Sequence, residues 1–344
     1  MEKGQRRCIM KKGVIVGFVV LIIGTFFFFA EICHAQEKYL MRFNHGLPED
    51  HFAAKQYEEW GALINQRSKG ALKVEIFPSA QLFKDQELAR AVQMGTIESG
   101  ACYTFNLARS MPEFNVLGVP FTFYTTDQLV RIFNSDVRTI LDKIAERQDI
   151  KTLMYIPWPV ESLGFISKKP LRNPSDCKGK VFRAVDNVTA SLIQFWGGGA
   201  SFVSGAELYM ALQRGTIDAA FVGVQQLVER KLYEVAPCFI KLPVSNASAI
   251  IIINKGFFSK LPKELQEVVL DVSKEIEKKS PQAAMEADTR DANFIKEKGL
   301  LPPYTPTQAE MALWQKDTKP IRESAMATPE GKELLKKVDS ILAP

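Results

Sequence analysis

Two stretches of this chain repeat one another. Glu87-Leu88-Ala89-Arg90-Ala91-Val92-Gln93-Met94-Gly95-Thr96-Ile97-Glu98 is echoed by Glu207-Leu208-Tyr209-Met210-Ala211-Leu212-Gln213-Arg214-Gly215-Thr216-Ile217-Asp218. Each copy reads as a short amphipathic helix, stopped by a glycine able to take the left-handed conformation and followed at once by an apolar strand. Ser204 and Glu207 have capping-box spacing in the second copy, and Asp85 can cap the first. Two such units far apart in one chain predict two α/β lobes, with the cleft between them as the natural ligand site.

The chain opens with Arg6, Arg7, Lys11 and Lys12, followed by an apolar run from Val14 to Phe29 that is short for a membrane span. That pattern is a secretory signal peptide, with Cys33 and Ala35 at the minus-three and minus-one positions of a cut before Gln36. The very apolar Phe26 to Phe29 run favours the general export route over the twin-arginine one suggested by Arg6-Arg7, and an uncleaved anchor is the alternative. A periplasmic location follows. Loss of residues 1–35 lowers the formal charge from +5 to +2. The remaining charge offers no concentrated basic stripe for nucleic acid. Cys102, Cys177 and Cys238 remain, with no metal-binding spacing; Cys102 and Cys238 lie in apolar surroundings and are expected as buried thiols.

Along the mature chain, Tyr39 to His45 reads as a strand, and Phe52, Tyr57, Trp60, Leu63 and Ile64 share one stripe of a helix. Leu72 to Phe77 is a second strand, so the opening rhythm is β-α-β-α-β with a mainly parallel sheet. Gln128 to Arg147 has helical spacing, and Lys151 to Trp158 is a strand. A second lobe begins near Pro159, with strands near Leu163–Ser167, 180–185 and 217–222. The run Ala249-Ile250-Ile251-Ile252-Ile253 is a strand buried on both faces that can return the chain to the first lobe. Glu264 to Lys279 forms one helix, and Ser280-Pro281 caps another running to Lys298. These helices either brace the two lobes or cover one sheet.

Catalytic chemistry leaves little trace. Only His45 and His51 survive signal removal, His51 being expected at the surface, and no metal site is expected. Gly197-Gly198-Gly199 lacks both the phosphate-loop lysine and the dinucleotide fingerprint, and no serine sits in a nucleophile elbow. No enzymatic activity and no cofactor are expected. Arg183 stands out because it ends a predicted strand beside the proposed cleft, where α/β folds place ligand contacts. A guanidinium fork there can grip a carboxylate through two parallel hydrogen bonds, the alternative being a solvated strand-end cation.

Three segments then carry a family resemblance: Glu75-Ile76-Phe77-Pro78-Ser79-Ala80-Gln81-Leu82, Pro170-Leu171 through Asp176-Cys177-Lys178-Gly179-Lys180-Val181-Phe182-Arg183, and the second repeat. In this order the chain resembles the DctP-type solute-binding proteins of tripartite ATP-independent periplasmic (TRAP) transporters. The resemblance implies an α/β, two-lobed periplasmic binding protein fold with a cleft between the lobes and long C-terminal bridging helices. It implies a first lobe of residues 36–160 with about 249–288, a second of 161–248 with about 289–325, and a tail helix in 326–344. It implies that the lobes close over a small organic acid held by Arg183, and that the acid is delivered to a small and a large membrane subunit driven by a sodium gradient. Asn44 falls at a pocket asparagine, Tyr103 at a first-lobe ligand contact, and Asn246 at a polar position in the strand returning to the first lobe.

Departures from the family's sugar-acid binders refine the ligand. Leu163 replaces a second arginine, Gly205 an aromatic contact, and Val222 a pocket asparagine. A pocket offering Trp158, Tyr103, Phe221 and Val222 favours a less hydroxylated guest, because a polyol would leave its groups unpaired. A monocarboxylate or oxo acid with a fairly apolar body is expected, although Trp158 and Phe221 also suit ordinary lobe core. A monomer is expected. A rival reading is a periplasmic sensor that presents its ligand-bound form to a membrane kinase.

Overall fold

The computed structural model describes residues 39–246 and 248–343. The expected export signal lies outside them. Among the described residues, no helix is long and apolar enough to cross a membrane.

Among the described residues, ten strands form two five-stranded sheets. The first holds β1 (Tyr39–Asn44), β2 (Leu72–Phe77), β3 (Ser99–Tyr103), β4 (Ile150–Ile156) and β10 (Ala249–Asn254) in the order β2-β1-β3-β10-β4. The second holds β5 (Leu163–Ser167), β6 (Val181–Ala184), β7 (Gly199–Phe202), β8 (Ala219–Gly223) and β9 (Cys238–Lys241) in the order β7-β6-β8-β5-β9. Each sheet is parallel except for its fourth strand: β10 runs antiparallel to β3 and β4, and β5 to β8 and β9. The chain therefore crosses to the second sheet after β4 and returns after β9. Residues 249–253 are fully buried, as their unbroken apolar run requires. Each buried isoleucine there contributes about 1.5–3 kcal/mol of gross apolar transfer energy.

The two repeat copies fold alike, and their agreement reaches single hydrogen bonds. Gly95 and Gly215 take φ of 69° and 77°, values that favour a residue without Cβ. The Thr96 N–H donates to the Ala91 carbonyl at 2.9 Å and the Thr216 N–H to the Ala211 carbonyl at 3.0 Å, closing each helix through the same wider turn. The acid at the end of each copy then pins the neighbouring strand. Glu98 Oε2 accepts from the Arg42 N–H of β1 at 2.9 Å, and Asp218 Oδ2 from the Val181 N–H of β6 at 2.9 Å. Capping differs between the copies. The Ser204 and Glu207 box is present, whereas Asp85 is the first residue of its helix, after the N-cap Lys84, and makes no cap bond.

Helix Phe52–Arg67 buries Phe52, Tyr57, Trp60 and Ile64, with Leu63 half-buried. His51 is a correction: it is buried, because its Nδ1 accepts from the Ala53 N–H at 3.1 Å as the helix cap while its ring lies 5.3 Å from that of Trp158. The stretch 128–147 holds two helices, Thr126–Phe133 and Asp136–Glu146, because Ser135 caps the second by accepting from the Val137 N–H. Cys102 and Cys177 are buried free thiols, but Cys238, on edge strand β9, is only half-buried.

The largest correction concerns Ser280-Pro281, which does not start a new helix. A single helix runs from Lys263 to Glu297 with Pro281 inside it. It binds the first lobe through Trp60 Nε1, which donates to Ser273 Oγ at 2.9 Å, and through Arg138 Nη1, 2.7 Å from Glu277 Oε1. Ile295, near its far end, is buried in the second-lobe core with Leu208 and Phe239. One continuous rod thus spans both lobes. Farther on, Trp314 packs edge-on against Trp196 at 4.8 Å, and helix Pro329–Leu342 returns to the first lobe, where Lys337 meets Asp136 at 2.8 Å.

Candidate binding site between the lobes

Strand ends and the loops after them build a narrow cavity. Tyr103 closes β3, Arg183 lies near the end of β6, Phe221 and Val222 near the end of β8, and Trp158 just after β4. Their convergence follows from strand direction, because every parallel strand delivers its C-terminal end to the same side. The apolar wall is aromatic. Tyr103 stacks on Phe105 at 5.1 Å and meets Trp158 edge-on at 5.2 Å, with Val185, Phe221 and Val222 opposite.

Arg183 is fixed before any ligand arrives. Its Nε donates to the Val203 carbonyl at 3.0 Å and its Nη1 to the Phe221 carbonyl at 2.7 Å. A guanidinium carries five N–H donors, so three remain for a guest. Burial pushes its pKa down to about 10, with Tyr103 and Asp85 opposing the fall and Arg230 adding to it. It stays a cation at neutral pH.

Two further charged side chains line the cavity, Asp85 from the first lobe and Arg230 from the second. Each occupies room left by a glycine. A Cβ on Gly46 would lie 2.0 Å from Asp85 Oδ1, and a Cβ on Gly205 would lie 3.3 Å from Arg230 Nη2. Among the described residues, Asp85 Oδ1 and Arg230 Nε are buried without a hydrogen-bond partner. Burial raises the Asp85 pKa, and Arg230 and Arg183 pull it back.

Tyr103, Trp158, Arg183, Gly205, Phe221 and Val222 thus share the cavity. Asn44 and Asn246 stand elsewhere. The Asn44 amide is buried, donating to the Phe83 carbonyl at 3.0 Å and accepting from the Leu82 N–H at 3.1 Å, so it ties β1 to the loop before Asp85. Asn246 Oδ1 accepts from Ser248 Oγ at 2.8 Å and from its N–H at 3.0 Å, bracing the return to β10. Asp85, Phe105, Val185, Gln226 and Arg230 line the cavity without having been marked as ligand contacts by any sequence pattern. Asp85 reads as a helix cap, and Arg230 follows a six-residue helix, Val224–Glu229, that carries no motif.

The profile of the family described as "Bacterial extracellular solute-binding protein, family 7", DctP, matches residues 43–328. The chain belongs to that family. The DctP resemblance read from the three sequence segments and the two-lobed α/β fold agree with it. The 2,3-diketo-L-gulonate-binding periplasmic protein YiaO of Escherichia coli K12 is 26% identical over 252 residues, covering 73% of this chain and 75% of that one. The C4-dicarboxylate-binding periplasmic protein DctP of Rhodobacter capsulatus is 24% identical over 319 residues, covering 89% and 92%. In three dimensions, a TRAP periplasmic solute-binding protein from Sulfitobacter sp. NAS-14.1 with bound β-D-galacturonate superposes with a TM-score of 0.82 at 20% identity, covering 88% of this chain and 99% of that one.

Proposed function

We propose that this DctP family member captures a small monocarboxylate or oxo acid with a fairly apolar body between its lobes and passes it to the small and large membrane subunits of a TRAP transporter for sodium-driven uptake. Export through a cleaved signal peptide brings it to the periplasm. The observation that carries this reading is Arg183, whose Nε and Nη1 are held by two backbone carbonyls while the rest of its fork faces an aromatic-walled cavity. A fork fixed in advance loses little freedom on meeting a carboxylate, and low local dielectric strengthens the pair. The surrounding Trp158, Phe105, Phe221 and Val222 reward apolar surface on the guest. Binding and release are the whole of its chemistry.

The test is mass spectrometry of small molecules released from the purified protein, followed by a thermal-shift screen of organic acids. A carboxylic acid of a few carbons is expected to co-purify, and the same acid to raise the melting temperature by mass action. Failure of every carboxylic acid to shift the melting temperature would sink the proposal.

A further inference from the structure

Asp85 and Arg230 line the same cavity from opposite lobes, each carries a buried polar atom without a partner, Asp85 Oδ1 and Arg230 Nε, and no bond joins the two side chains. Buried polar atoms without partners are costly, and glycines at 46 and 205 make room for both side chains. We propose that this pair forms a second subsite that reads a hydroxyl group on the acid held by Arg183, making an α-hydroxy monocarboxylate with an apolar side chain the ligand class. The inference rests on the carboxylate reading of Arg183.

The chemistry selects among substituents. A hydroxyl accepts from Arg230 and donates to Asp85 at once, satisfying both. A carbonyl oxygen accepts from Arg230 but faces the Asp85 carboxylate with lone pairs only. An ammonium suits Asp85 but is repelled by Arg230 and Arg183. An unsubstituted acid leaves both groups unpaired. Net charge agrees: two arginines and one aspartate leave one positive charge, matched by a single carboxylate. A site built to hydrogen-bond a hydroxyl rejects the analogue lacking it strongly, because its own groups are then stranded.

The test uses isothermal titration calorimetry of the full mature protein with matched hydroxy, oxo and unsubstituted acids on the propionate, isovalerate and phenylpropionate skeletons. The hydroxy member of the best-fitting skeleton is expected to bind at least about tenfold tighter than its unsubstituted partner. Asp85→Asn and Arg230→Ala should each bring that ratio close to one, with folding checked by the melting temperature of the ligand-free variants. Equal binding of hydroxy and unsubstituted acids overturns the subsite but leaves the Arg183 reading intact. A preference for the oxo acid also overturns it, being what a protonated Asp85 would select. If no acid on any skeleton binds, the carboxylate reading falls with it.

Discussion

Asp85 and Gly205 hold the same place in the two copies of the internal repeat, and both line the cavity between the lobes. The same register pairs Tyr103 with Gly223, which also line it. Each half of the fold thus sends the start of its repeat helix and the end of the following strand toward the cavity. Where the first lobe supplies a carboxyl and a phenol, the second supplies two glycines, and the vacated volume at Gly205 admits Arg230.

Gly205→Ala tests that exchange of volume. The new Cβ would meet Arg230 Nη2 at 3.3 Å, and the guanidinium must yield. Acid binding is expected to weaken by about fivefold, equivalent to about 1 kcal/mol, while the melting temperature without ligand changes little. Unchanged affinity in a calorimetric titration would show that the Arg230 position is irrelevant to binding.

Arg183→Ala removes the proposed carboxylate partner and frees the Val203 and Phe221 carbonyls. Binding should fall by about 30-fold or more, since truncating one member of a buried charge pair costs about 2 kcal/mol at least. Loss of the two backbone bonds should lower unfolding stability by about 1–3 kcal/mol in a denaturant titration. Arg183→Lys should not restore binding, because a point charge cannot hold two carbonyls and a carboxylate together.

Residues of both lobes line the cavity, so an acid bound there is expected to favour whichever arrangement brings them together. Small-angle scattering should show a smaller radius of gyration at saturating ligand, and the contraction should vanish in Arg183→Ala. An unchanged radius with demonstrated binding would separate capture from closure.

Stability should pass through a maximum with pH. Burial holds His51 down to about 3 and His45 to about 4, so below their ordinary range the unfolded chain binds protons that the native state refuses, and stability rises with pH up to about 6.5. Glu229 runs the other way. Burial, with Asp291 and Asp50 nearby, raises it to about 8 against the opposition of Arg290 and Arg230. Its native state therefore holds a proton the unfolded chain has lost, and that contribution fades as pH rises toward 8. Glu229→Gln should flatten the alkaline limb of the melting-temperature profile and leave the acid limb in place; an unaltered alkaline limb would assign it to other groups.

The long helix carries its own compensation. Pro281 has no N–H for the Glu277 carbonyl, and Ser280 Oγ donates to that oxygen instead at 2.8 Å. Ser280→Ala should cost about 1–3 kcal/mol, and adding Pro281→Ala should recover most of it by restoring the backbone bond. Additive effects in the double variant would disprove the substitution of one donor for the other.

Sequence carried the elements that depend on near neighbours. Glycine-stopped repeat helices, the isoleucine strand and the strand-end position of Arg183 follow from local spacing and from the rule that strands alternate with crossover helices. Contacts made across long separations escaped it. Arg230 reaches the cavity because Gly205 makes room, and His51 is buried because Trp158 and Glu229 cover it, relations that no local pattern records. Ser280-Pro281 looks the same as a helix start and as a mid-helix proline, and only the waiting Glu277 carbonyl decides between them. Asn44 and Asn246 were placed by resemblance, yet the Asn44 amide is consumed by backbone partners and Asn246 Oδ1 by Ser248, while Asn246 Nδ2 stays buried without a partner outside the cavity lining.

Strand β10 lies between β3 and β4 yet is synthesised after every strand of the second lobe. A growing chain that has completed β9 still has an open seam through the middle of its first sheet, with two rows of backbone groups awaiting a partner. Contacts of such long sequence separation are slow to form, so folding of the amino-terminal half is deferred until the polypeptide is nearly whole. The first sheet cannot be closed by the amino-terminal half of the chain alone, and the first lobe matures only once the returning strand has been made.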